Sequence, residues 1–189
     1  LLPPRGYCDV LAIIDYGAGN LRNVLMAFRR LGVGATLAED SREIARATAL
    51  VLPGVGSFGD AMSNLRSRHL EDAILSAIQD GVPFLGICIG MQVLFEVGEE
   101  MGEHRGLGVV PGRVRRFGAE VTVPHMGWNQ IHQTKATPLW AGVPDGSYAY
   151  FVHSYYCETP DEDLIAARTD YDQGFVSAID VDEFFALGE

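Results

Sequence analysis

Gly86-Ile87-Cys88-Ile89-Gly90 sets a cysteine midway between two glycines, after an apolar run and ahead of Met91-Gln92-Val93-Leu94-Phe95. This is the cysteine form of a nucleophile elbow. Glycines two residues to either side leave room for a strained strand-to-helix turn that pushes the side chain out at the carboxyl edge of a sheet. The chemistry it permits is covalent acyl transfer. The first amides of a helix over 91–96 would point at the sulfur and favour the thiolate. The N–H of Ile89 would donate to an oxyanion. The competing reading is a core cysteine that fills a strand end, since cysteine is among the most buried residue types. The strand before Cys88 and the helix after it weigh for the elbow. Cys8 and Cys157 have no such setting and are read as structural.

The elements that must position the cysteine are legible as punctuation. Residues 10–15 are apolar and lead into Gly17-Ala18-Gly19, after which Leu21, Val24, Leu25, Phe28 and Leu31 recur at helical spacing up to Gly32. The pattern repeats: residues 49–52 stop at Pro53-Gly54, and residues 82–87 stop at the cysteine turn. Apolar strands separated by helices imply a parallel sheet. Beyond about residue 105, glycine and proline punctuate short β-rich runs over 112–117, 121–126, 148–157 and 174–179. The expected fold is α/β, a mostly parallel central sheet flanked by helices, with antiparallel strands in the C-terminal half.

No linker or repeat divides the chain, and 189 residues at 48% hydrophobic composition suit a single domain over 1–189. A net charge of -11 would repel a phosphate backbone, so nucleic acid is not an expected partner. The 3 cysteines are widely spaced and outside any CxxC, which suggests neither a disulfide framework nor a metal knuckle and fits a reducing cytosol. No apolar run reaches the roughly 18 residues that cross a membrane. Leu1-Leu2-Pro3-Pro4 lacks the build of a secretory signal, so a cytoplasmic protein without membrane partners is expected. The sequence begins without methionine, which suggests that the start of the reading frame, or a processed or trimmed end, lies outside it.

Five segments read together are specific: Asp15-Tyr16-Gly17-Ala18-Gly19-Asn20, Leu52-Pro53-Gly54-Val55-Gly56-Ser57-Phe58, residues 86–92, Val123-Pro124-His125-Met126-Gly127-Trp128-Asn129, and Tyr150-Phe151-Val152-His153-Ser154-Tyr155-Tyr156. In this order they resemble the class I glutamine amidotransferases, and within them the glutaminase subunits of imidazole glycerol phosphate synthase. The resemblance implies that Cys88 attacks the side-chain amide of glutamine, releases ammonia and leaves a thioester for water to hydrolyse. The ammonia would pass to a cyclase subunit of barrel fold, in a heterodimer serving histidine biosynthesis, with no cofactor and no metal. By the same resemblance, Val55 and Ile89 supply the oxyanion donors. Gly54, Gly56, Gln92, His153, Ser154 and Tyr155 hold glutamine, and Asn20, Met126 and Trp128 face the partner.

Each residue also has a plainer reading. Gly54 and Gly56 would make a tight turn after Pro53, Gln92 would be a solvated or capping residue, and His153 a satisfied core histidine. Asn20 would be a helix N-cap, and Trp128 a core aromatic. A nucleotide-binding module is a rival, because Gly17-Ala18-Gly19-Asn20-Leu21-Arg22 opens a helix ahead of Glu39-Asp40, but Arg22 stands where a third glycine belongs. A glutaminase of pyridoxal phosphate synthesis is another, against which the PHMGWN and YFVHSYY segments argue.

One departure stands out. A thiol glutaminase needs a histidine to carry the proton and a carboxylate to orient it, and the family draws both from a Phe-His-Pro-Glu segment near its C-terminus. Here the corresponding stretch, 179–189, contains no histidine, and no His-Pro-Glu occurs anywhere. His69-Leu70-Glu71 is expected in a helix, where residues two apart diverge, as a solvated pair. His104 falls in a polar loop, His125 in the partner-facing segment, and His132 in no recognisable setting. None of the 5 histidines is assigned as base. The expectation is a truncated or frame-disrupted copy of a working enzyme. The alternatives are a natural pseudo-glutaminase that keeps only partner binding, or a site completed from elsewhere. Either way, the 189-residue chain is expected to be a very weak glutaminase.

Overall fold

The computed structural model describes residues 10–181 and the backbone of 184–187. Cys8, and residues 182–183 and 188–189 of the stretch without a His-Pro-Glu, lie outside the described residues.

The elements in chain order are Leu11–Ile14 (β1), Leu21–Arg30 (α1), Ala35–Ala38 (β2), Ser41–Ile44 (α2), Ala49–Gly54 (β3), Phe58–Ser67 (α3), Glu71–Gln79 (α4), Phe84–Cys88 (β4), Ile89–Gln92 (α5), Phe95–Gly98 (β5), His104–Arg105 (β6), Val110–Arg116 (β7), His125–Gln130 (β8), His132–Gln133 (β9), Tyr148–His153 (β10), Tyr155–Glu158 (β11), Ile165–Thr169 (β12), Phe175–Val181 (β13) and Phe184–Leu187 (β14).

Apolar runs without alternation make strands covered on both faces, as Ile13, Ile14, Leu50, Val51 and Leu52 are. β2, β1, β3, β4 and β14 lie side by side in parallel. Gly54 stands opposite Cys88, and Leu187 opposite Ile87. Beyond β14 the sheet turns antiparallel through β13, β11 and β7, then ends on β5 and β6. β12 and β9 branch from β13. The expected α/β architecture, parallel first and antiparallel later, is present. A separate two-stranded ribbon, β8 with β10, pairs Trp128 with Tyr150 and His125 with His153. A cluster around Phe117, Phe151 and Phe175 fills the space beneath it.

Four expectations change in detail. The helix after Cys88 covers only Ile89–Gln92, and Phe95–Gly98 is a strand. Val93, Leu94 and Phe95 are fully buried, and a short run with no polar face reads equally as helix or strand. The strand expected over 121–126 begins instead at His125, because Pro124 has no N–H to give to a ladder. The run over 148–157 breaks at Ser154 into β10 and β11. In α1 the stripe of Leu21, Val24, Leu25 and Phe28 is only half-buried, and Leu31 lies past its end and is exposed. There Gly32, at φ 75°, closes the helix with Gly32 N–H to the Arg29 carbonyl and Val33 N–H to the Phe28 carbonyl.

Candidate active site

Cys88 sits at φ 55° and ψ -115°, a conformation that a residue with a side chain adopts only when its surroundings impose it. Both flanking glycines are required by space. A Cβ on Gly86 would come within 2.7 Å of the Gly90 carbonyl oxygen, and one on Gly90 within 1.7 Å of the Leu52 carbonyl oxygen. The turn is therefore clamped between β3 and its own following helix, as an elbow requires. With only one turn of helix behind it, the amides near the sulfur contribute a smaller dipole than a longer helix would.

The side chain of Cys88 opens into a cleft of about 370 Å³ lined in part by Val55, Gly56, Ile89, Gln92, His153, Ser154 and Tyr155. Seven residues singled out from the sequence thus meet around the cysteine, from three separate stretches of chain. Gly54 lies at the end of β3 against Cys88, on the wall of an adjoining depression of about 480 Å³ that Asn20, Trp128 and Tyr150 also line. Gln92 is buried rather than solvated, and its amide donates to the Tyr155 carbonyl at 3.3 Å. Asn20 precedes α1 but makes no side-chain capping bond, so the N-cap reading fails for its side chain. Trp128 is 70% exposed, which excludes a core aromatic, and Met126 is 61% exposed on the same ribbon face.

The histidines fall differently from expectation. His125 is not partner-facing. Strand alternation turns it inward between Met126 and the aromatic cluster, stacked on Tyr171 with ring centroids 4.0 Å apart. Its Nδ1 lies 3.1 Å from Nε2 of His153, whose own Nδ1 lies 2.8 Å from the Tyr155 carbonyl. Burial lowers His153 to about 4, the Tyr155 carbonyl opposes this, and His125 adds to it; burial lowers His125 as well. His69 is in no helix but at φ 57° between α3 and α4, and Glu71 pairs with Arg66 instead. His104 packs over Gly59, and His132 is a surface group 3.8 Å from Asp170. Among the described residues, His153 is the histidine that lines the Cys88 cleft.

Two groups were missed from the sequence. Glu100 lines the cleft, with one carboxylate oxygen accepting from the Phe58 N–H at the start of α3, 2.8 Å away. Nothing in a polar Glu99-Glu100 pair before Met101 marks it out. Tyr16 lies in a quoted segment but drew no role. It is fully buried, its hydroxyl has no hydrogen-bond partner among the described residues, and burial together with nearby Cys88 raises it. Cys157 is buried, and burial pushes its thiol well up, in keeping with a structural reading. The Asp40 carboxylate caps α2, accepting from the N–H groups of Arg42 and Glu43, while Glu43 accepts from the backbone N–H of Glu39.

A cysteine elbow at the carboxyl edge of a parallel sheet, facing an open cleft, defines a class of thiol acyl-transfer enzymes. The family model for glutamine amidotransferase class-I matches residues 12–187, and the chain belongs to that family. Its relatives include the imidazole glycerol phosphate synthase subunit HisH of Desulfitobacterium hafniense (strain Y51), 48% identical over 90% of this chain and 81% of that protein. The subunit HisH of Aquifex aeolicus (strain VF5) is 46% identical over 93% of this chain and 85% of that one. Among solved structures, a glutamine amidotransferase superposes with a TM-score of 0.73 at 18% identity, covering 93% of this chain and 87% of that one. PurLQS from Thermotoga maritima gives 0.71 at 16%, covering 95% and 85%. At those identities the likeness is one of fold.

Proposed function

We propose that the chain is the glutaminase subunit of an imidazole glycerol phosphate synthase, hydrolysing glutamine at Cys88 and handing ammonia to a barrel-fold cyclase in cytoplasmic histidine biosynthesis. The observation that carries this reading is the strained Cys88 elbow facing a cleft walled by Val55, Gly56, Gln92 and Glu100. The sulfur adds to the δ-carbonyl carbon of glutamine, and the charge on oxygen is met by the N–H groups of Val55 and Ile89. Collapse breaks the C–N bond, and ammonia leaves with the thiol proton. Water then adds to the thioester, the C–S bond breaks, and glutamate departs as the sulfur regains a proton. Gln92, Ser154 and Tyr155 hold the substrate, and Glu100 offers a carboxylate to its α-ammonium. Asn20, Met126 and Trp128 belong to the partner face, where exposed Trp128 and Met126 suit an anchor.

The test is ammonia release from glutamine by the 189-residue chain together with its cyclase subunit. Expected is glutamine binding and slow acylation of Cys88, with turnover several orders of magnitude below a complete thiol–imidazole site. The motive is that both ring nitrogens of His153 are already engaged. Normal turnover would show an effective base beside Cys88, and no binding of glutamine would overturn the reading.

A further inference from the structure

A line of hydrogen bonds runs under the ribbon from its far edge to the cysteine cleft, and its two ends have fixed polarity. At one end the Asn129 amide is oriented by two backbone groups. Its oxygen accepts from the Gln130 N–H at 2.8 Å, and its nitrogen donates to the Asp170 carbonyl at 2.9 Å. The same nitrogen lies 3.4 Å from His125 Nε2, which must therefore accept. At the other end, the Tyr155 carbonyl can only accept, so His153 Nδ1 carries a proton. Neutral His153 must then accept at Nε2, and His125 must donate from Nδ1 across the 3.1 Å between them. Both rings are held as the neutral Nδ1–H tautomer, and every bond points the same way, from Asn129 through His125 and His153 to Tyr155.

The Tyr155 carbonyl also receives the Gln92 amide, so both of its lone pairs are engaged and the Gln92 side chain is aimed by the same oxygen that ends the relay. Gln92, His153 and Tyr155 are walls of the Cys88 cleft. His125 and Asn129 do not line it. A second proton on His153 would set N–H against N–H. Relieving that would turn His125 to its other tautomer, against the Asn129 amide, whose two backbone bonds forbid it to flip.

We infer that His125 and Asn129 are positioning residues for glutamine, acting through His153 on the Tyr155 carbonyl and the Gln92 amide. This rests on the reading of the cleft as a glutamine site. The relay explains why a histidine pair is packed among aromatic rings, and why His153 is engaged at both nitrogens although it lines the cleft of the nucleophile.

Two measurements test it on the 189-residue protein. A long-range ¹H–¹⁵N spectrum at pH 7 should show both His125 and His153 protonated at Nδ1 alone; either ring charged, or protonated at Nε2, overturns the relay. Glutamine affinity is then compared by calorimetry in the parent, His125→Phe, Asn129→Leu and Gln92→Ala. His125→Phe keeps the stacking on Tyr171 and removes the donor. Asn129→Leu removes the donor to His125 Nε2 at similar side-chain size, so the test survives if the first variant fails to fold. Each should weaken glutamine about tenfold, the scale of leaving one buried acceptor unpaired. Parent-like affinity in the folded relay variants, with Gln92→Ala weakened, overturns the inference alone. A parent that binds no glutamine overturns the reading of the cleft.

Discussion

The hydroxyl of Tyr16 lies against the α-carbon of Gly54: a Cβ added there would sit 2.5 Å from that oxygen and 2.7 Å from the Cβ of Ile89. The start of the 54–56 loop is thus wedged between the bend that follows β1 and the elbow helix. Gly54→Ala must displace one of them, so it is expected to weaken glutamine at least tenfold while leaving Cys88 in place. Calorimetry with glutamine reads this directly, and unchanged affinity would show that the loop relaxes without moving the cleft wall. Tyr16→Phe removes a buried hydroxyl that has no partner and should raise stability by about 1 kcal/mol in denaturant unfolding. A loss of stability would instead reveal a bonded water.

Cys88 and Cys157 should separate cleanly in reactivity. Cys88 lines an open cleft, whereas Cys157 is 3% exposed with its thiol pushed up by burial. Brief treatment with an electrophilic glutamine analogue, followed by peptide mass spectrometry, should modify the peptide containing Cys88 and spare that containing Cys157. Equal labelling would mean that the buried strand opens on the timescale of the reaction.

Trp128→Ala should cost the isolated chain no more than about 0.5 kcal/mol, because a 70% exposed side chain contributes little packing. Affinity for the cyclase subunit should fall by about a hundredfold, the scale of losing an aromatic anchor. Unfolding curves and a binding titration check the two halves, and unchanged affinity would remove Trp128 from the partner face.

His153 makes stability depend on pH in a defined window. Its ring contacts are Phe117, Phe151, Phe175 and His125, so the neutral form is favoured. With the folded value lowered from 6.5 to about 4, the unfolded chain takes up the proton first as pH falls. The neutral ring's contribution is fully present above 6.5, declines between 6.5 and about 4, and is constant below. The loss across that window is of order 3 kcal/mol. Denaturant midpoints of the parent should therefore fall between pH 7 and pH 5 more than those of His153→Gln. Parallel curves would show that His153 is not neutral by preference.

How much of this was legible depended on whether a residue's role was set locally or by distant chain. The elbow was readable because Gly86 and Gly90 are demanded by atoms within a few residues or on the adjacent strand, and glycine leaves a visible mark. The parallel strands were readable because burial on both faces leaves unbroken apolar runs. His125 was misplaced because its neighbours Met126 and Trp128 face outward and only strand alternation separates them from it. The end of the elbow helix was misread because Val93, Leu94 and Phe95 are buried on every side. Glu100 carries no local signal at all: it is brought to the cleft through its bond to Phe58, far away in sequence.

The ribbon of β8 and β10 presents Met126, Trp128, Tyr148, Tyr150 and Val152 to solvent on one side, with Trp128 beside Tyr150 and Met126 beside Val152. Apolar groups gathered this way are adhesive. Purified alone, the protein should be a sticky one, with sedimentation that drifts upward as concentration or salt increases, since salt screens the net charge of -11 that keeps copies apart. Co-expression with whatever covers that ribbon would then govern yield as much as the stability of the fold does.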